Sequence, residues 1–109
     1  MYQVSDWNMK LKITPQIEIR EETRAELEPL YRVLIHNDDV TPMDFVIHVL
    51  TAIFLLPIIN AGQVMLTAHI QGTAYVQTLP KEEARKRINS AHFAAALKNY
   101  PLQLTMEPE

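Results

Sequence analysis

The run YRVLIHNDDVTPMDFVIHVLTAIF changes its apolar rhythm within a single short turn. Tyr31, Val33 and Ile35 alternate with Arg32, Leu34 and His36, which is the spacing of a strand with one buried face. From there the apolar positions become Met43, Val46, Ile47, Leu50 and Phe54, the spacing of a helix with one buried face. Only NDDVTP lies between the two. The stretch TPMD carries three helix-start signals: Thr41 as N-cap, Pro42 at the first helical position, and Asp44 three residues after the cap. A strand feeding directly into an amphipathic helix commits the chain to helices laid over a sheet.

The remainder extends this pattern. The longest apolar stretch, VIHVLTAIFLLPIINAG, holds His48 near its start and Pro57 in its middle. It therefore reads as two helix pieces rather than a membrane span. The second piece runs to Gly72, with Ala61, Met65, Ala68 and His69 as inward candidates. TAYVQTL (73–79) is a second strand. Pro80 opens a third helix with Glu82–Lys86 and Glu83–Arg87 pairs outside and Ala84, Ile88, Ala91 and Ala95 inside. Asn99, Tyr100 and Pro101 end it, and LQLTM (102–106) alternates as a last strand. The expected fold is α+β: a small β-α-α-β-α-β sandwich, a three-stranded sheet with helices packed on it. Residues 29–109 form its single domain. Residues 1–28 are expected to be a mobile N-terminal extension, because EIREETRAELEP is dense in charge and buries too little to offset its ordering entropy. Both a solvated terminus and a partner-binding tail fit that composition.

Composition removes several function classes. Ten basic against thirteen acidic residues leave a net charge of −3, unlike the basic face of a duplex nucleic-acid binder. There is no cysteine, hence no disulfide framework and no thiol nucleophile. The N-terminus shows no signal-peptide apolar region, so a soluble, non-exported protein is expected, without membrane contact. No G-x-S-x-G, H-E-x-x-H or Gly-rich phosphate loop is present, and the chain has only two glycines. His36, His48, His69 and His92 are not at metal-ligand spacing. Neither enzymatic activity nor a metal or other cofactor is expected. Asp38 and Asp39 have two readings: a turn that also favours the helix N-terminus, or an acid–base pair, which strand-like alternation opposes by pointing neighbours apart. His69 is either a half-buried histidine with one backbone hydrogen bond or the polar tip above an apolar hollow.

Three segments, YRVLIHNDDVTPMDFVIHVL, VMLTAHIQGTA and YPLQLTMEPE, resemble the ClpS family, adaptors that deliver N-degron substrates to the Clp protease. The likeness covers roughly residues 29–109, and its most specific block is N-D-D-x-T-P-M-[DE]-F-V. It implies the same β-α-α-β-α-β fold. It further implies that Asn37, Asp38 and His69 grip the free α-ammonium of another protein, three acceptors for three donors. Around a bulky first side chain (Leu, Phe, Tyr or Trp) it places Thr41, Met43, Val46, Met65, Ala68 and Leu102, with Asp39 at the rim. Met43 is implied to gate against side chains branched at Cβ. Contact with the N-terminal domain of a Clp AAA+ unfoldase, of ClpA or ClpC type, falls by position on Glu82 and Arg87. A monomer in the cytoplasm, or in the plastid stroma of a eukaryote, is expected. The rival is a general interaction module of ribosomal-stalk-like fold without an N-terminus pocket. Two departures from the family stand out: Leu56, Pro57, Ile58 and Ile59 replace a charged start of the second helix, and Ala68 replaces a larger Val or Ile. The apolar 55–59 segment reads equally as an exposed patch, a second contact surface or deeper core.

Overall fold

A computed structural model describes residues 28–109. The extension expected over 1–28 lies outside the described residues except for Glu28. The elements run β1 (Leu30–His36), α1 (Met43–Ala52), α2 (Ile58–Gln71), β2 (Thr73–Pro80), α3 (Lys81–Leu97) and β3 (Gln103–Pro108). The α+β order expected from periodicity is the order found. The strands form one antiparallel sheet in the order β2-β1-β3. β1 is central because it alone is paired on both sides, from Tyr31 opposite Leu79 and Pro108 to His36 opposite Thr73 and Gln103.

Alternation along β1 sends Val33 and Ile35 into the core, where both are fully buried. The other face carries polar cross-strand pairs: Arg32 Nη1 donates to Glu107 at 2.8 Å, and the Arg32 Cζ lies 5.2 Å from the centre of the Tyr75 ring. The β1–β2 ladder shifts by one residue between Val33 and Leu34, leaving Val76 unpaired between Tyr75 and Gln77. The shift turns Gln77 towards the helices. There its amide donates to the Phe54 carbonyl at 3.1 Å while its Oε1 accepts from Arg87 at 3.1 Å. Phe54, Leu50 and Val49 fill the space beneath the helices without exposure.

α3 buries Ala84, Ile88, Ala91 and Ala95, as its spacing predicts. Three alanines on that face let the helix sit close to the sheet. His92 ties it there, with Nε2 accepting the Leu104 amide at 3.0 Å.

Several local expectations change. Pro42 rather than Thr41 is the N-cap of α1, and no side chain caps the helix. Met43 points outward, 47% exposed, and Val49 takes the buried place on that helix. Pro57 does not break a continuous helix. It is the N-cap of α2, after a connection in which the Ile53 and Phe54 amides reach the Val49 carbonyl and Leu56 reaches Leu50. Leu55 turns the chain there in the left-handed region, at φ 59°. Glu82 pairs with Arg85 at 3.2 Å, one residue nearer than Lys86, whereas Glu83–Arg87 forms at 2.8 Å. The last strand begins one residue late, leaving buried Leu102 just before it. No helix among the described residues is long and apolar enough to cross a membrane.

Candidate functional site

The loop between β1 and α1 is built by Asp38. Its Oδ1 accepts the amides of Val40 at 2.8 Å and Thr41 at 2.6 Å, and Oδ2 accepts the Thr41 hydroxyl at 2.9 Å. This is the turn an aspartate makes by bonding backbone two and three residues ahead. The Thr41 hydroxyl is thereby held against Asp38, and it does not cap α1. Partial burial works to raise the Asp38 pKa, but the two amide donors and the hydroxyl outweigh it. The carboxyl is held below its ordinary value and is ionised at neutral pH.

A second anchor brings distant sequence to the loop. The Asn37 amide donates to the Gly72 carbonyl at 2.9 Å. Gly72 ends α2 at φ 94°, a backbone conformation that a Cβ would disfavour. The end of α2, carrying Ala68 and His69, is thereby fastened beside Asn37. Leu102 arrives from the start of the last strand.

These segments enclose one open cleft of about 300 Å³. Asn37, Asp38, Asp39 and His69 supply its polar wall, Thr41 and Met43 its α1 side, and Val46, Met65, Ala68 and Leu102 its apolar lining. All ten residues singled out from the sequence for amine and side-chain binding border this cleft. Asp38 and Asp39 both do so, because residues of a turn do not alternate as strand residues do. His69 is exposed rather than inward, since it stands on the solvent side of the last turn of α2. Ala68 beside it is buried. Among the described residues no Lys or Arg borders the cleft, so two carboxylates dominate its field and favour a cation.

Sequence reasoning did not single out four other lining residues, Ile35, His36, Val40 and Pro42. His36 shares a 2.7 Å hydrogen bond with Thr105 on the outer face of the sheet. Val40 had one available signal, an apolar residue inside a polar step, and it stands 61% exposed at the mouth. Glu82 and Arg87 are not part of the cleft. They occupy the opening turns of α3, whose first residue is tied to Pro29 at the far end of β1, roughly 26 Å along the strand from Asn37.

Residues 26–105 match the family described as "ATP-dependent Clp protease adaptor protein ClpS". The chain belongs to the ClpS family. Curated ClpS relatives agree over most of their length. The adapter protein of Desulforapulum autotrophicum is 35% identical over 99 residues, covering 87% of this chain and 95% of that protein. The adapter protein of Roseobacter denitrificans is 44% identical over 86 residues, covering 79% and 76% respectively. Among solved structures, Agrobacterium tumefaciens ClpS2 bound to L-phenylalaninamide superposes with a TM-score of 0.72 at 36% identity. The match covers 75% of this chain and 99% of that one. The ClpS fold is thus the fold of this chain.

Proposed function

We propose that this chain is a non-enzymatic adaptor that binds the free α-amine and bulky hydrophobic first side chain of N-degron proteins and delivers them to a Clp AAA+ unfoldase–protease. One observation carries the reading. Acidic and neutral acceptors at the mouth of a single cleft, Asn37, Asp38 and His69, stand over the apolar lining of Val46, Met65, Ala68 and Leu102. An ammonium needs three acceptors and a counter-charge, and this mouth offers an amide oxygen, a carboxylate and an imidazole nitrogen. An α-amine with pKa near 7.7–8.0 is mostly charged at neutral pH.

The ligand of the Agrobacterium relative has matching parts. L-phenylalaninamide carries a free α-amine, a benzyl side chain, and a carboxamide where a second residue would continue. In this chain the amine would meet Asn37, Asp38 and His69, and the ring would enter between Met43 and Ala68. Burying a Leu or Phe side chain contributes about 1.5–3 kcal/mol, so grip and lining must act together.

Glu82 and Arg87 are the proposed unfoldase contacts. Neither borders the cleft, which lets substrate and unfoldase bind together. Arg87 already holds Glu83 and Gln77, so a partner would meet a guanidinium fixed in orientation.

Fluorescence anisotropy with peptides beginning in Leu, Phe, Tyr, Trp, Ile and Ala tests the reading. The first four are expected to bind and the last two to bind poorly. N-acetylation should abolish binding, because it removes the charge and leaves the site's acceptors unpaired. Equal binding of free and acetylated peptides would overturn the adaptor function.

A further inference from the structure

Arg87 is held by two hydrogen bonds of different origin. Its Nε donates to Glu83 Oε2 at 2.8 Å and its Nη1 to Gln77 Oε1 at 3.1 Å, and the side chain is only 21% exposed. The Glu83 bond spans one turn of the same helix, which α3 could form by itself. The Gln77 bond comes from β2 and depends on how that strand is built.

Two features aim Gln77 at Arg87. The first is the irregularity in the β1–β2 ladder. Ala74 and Val76 are buried and Tyr75 is exposed, so regular alternation would put Gln77 on the outer face with Tyr75. The extra residue at Val76 instead places Gln77 opposite buried Val33, on the helix side of the sheet. Bulges re-aim side chains in this way beside functional sites. The second feature is the orientation of the amide. Gln77 Nε2 donates to the Phe54 carbonyl at 3.1 Å, which leaves Oε1 as the end that faces Arg87. Immobilising a side chain rich in rotamers weakens association, and here the fold has immobilised it beforehand. Neither bond takes Nη2, so that edge of the guanidinium can donate to an acceptor oxygen of a partner.

We propose that Gln77 is a positioning residue for the unfoldase contact: it holds the Arg87 guanidinium so that Nη2 meets a carboxylate or carbonyl oxygen of the unfoldase. The inference rests on the adaptor reading, in which Arg87 touches the unfoldase. It goes beyond that reading by assigning the geometry of the contact to a residue of β2 that the partner need not touch.

The test titrates the full chain against an intact ClpA-type and an intact ClpC-type unfoldase, and whichever binds the native chain serves for the variants. Gln77→Met keeps the side-chain length and removes both hydrogen bonds, whereas Gln77→Glu keeps an acceptor for Arg87 and loses only the donor to Phe54. Gln77→Met should weaken unfoldase binding by about two- to tenfold, and Gln77→Glu should stay within about twofold of the native chain. Both variants lose the bond to Phe54, so a role in the fold alone would weaken both alike. Binding of a Phe-initiated peptide should be unchanged in both, because Gln77 does not border the cleft. With Arg87→Ala in place, Gln77→Met should have no further effect. A loss in Gln77→Glu equal to that in Gln77→Met, or a Gln77→Met loss that persists in full beside Arg87→Ala, overturns the proposal. So does native affinity in Gln77→Met where Arg87→Ala alone binds weakly, a result that leaves the adaptor reading standing. Native affinity in Arg87→Ala removes Arg87 from the contact, and a native chain that binds neither unfoldase overturns delivery itself; the inference falls with either.

Discussion

An ionised carboxylate offers about four acceptor positions, and Asp38 uses three of them on its own loop. The remaining lone pair on Oδ2 is the one available to an incoming ammonium. Asp38→Ala should therefore act twice, loosening the 37–42 loop and removing the counter-charge. Affinity for a Leu-initiated peptide is expected to fall by about 2–5 kcal/mol, the scale for truncating one partner of a buried charged pair. Titration calorimetry separates this from the loop effect, which appears as a lower melting temperature. A lower melting temperature with undiminished affinity would confine Asp38 to the loop. Met43 and Ala68 divide a different task. Met43 is half-exposed at the mouth, whereas Ala68 is buried in the lining. Ala68→Val should shift preference from Phe toward Leu by about 0.5–1.5 kcal/mol, the scale of one or two methyl groups. Met43→Ala should instead admit Ile and Val termini. An unchanged Leu-to-Phe ratio in Ala68→Val would show that position 68 does not meet the ligand.

The contact between α3 and β3 gives the fold a titratable joint. The His92 Nε2 accepts the Leu104 amide, so that nitrogen must be unprotonated. Burial lowers the His92 pKa below the ordinary 6.5. The unfolded chain therefore takes up the proton first. The stability held by this joint is full above pH 6.5 and is lost as pH falls from there through the lowered folded value. Urea midpoints should decline across that window in the native chain and stay flatter in His92→Gln, which retains an acceptor but does not titrate. Leu104 pairs with Ile35, and Leu102 lines the cleft two residues earlier. Peptide affinity should weaken over the same window, while the Asp38 loop, whose carboxyl is lowered from 3.8, is lost only in stronger acid.

Across the whole molecule, one sheet face is covered by helices and the other carries hydrogen-bonded polar pairs. Phe54 sits where the covered layer is held together. It is the largest fully buried side chain among the described residues, and its carbonyl takes the amide of Gln77 from β2. Phe54→Ala should cost about 3–5 kcal/mol, the range for a truncated buried aromatic. Denaturant unfolding followed by fluorescence and by circular dichroism should stay coincident, since there is a single core. Separate transitions would mean that the helices and the sheet unfold independently.

Local spacing in the sequence determined the order and type of the elements. Alternation in 31–36 and the helical spacing of Ala84, Ile88, Ala91 and Ala95 each need only a chain's own neighbours to be read, and both faces lie where spacing put them. Through the family resemblance, the N-D-D-x-T-P-M block marked the loop residues that border the cleft. Tertiary structure decided the rest. Periodicity shows that a helix has an inner face, but which residue a neighbouring element covers depends on packing, so Met43 turned out and Val49 in. An N-cap oxygen must be aimed at the first amides of its helix, and the Thr41 hydroxyl is held by Asp38 instead. Joining Asn37 to the end of α2 required the Gly72 carbonyl, and bringing Leu102 beside them required the sheet order β2-β1-β3. Contacts between residues so far apart in the chain have no local signature, because they form only when the three strands and their helices close on one core.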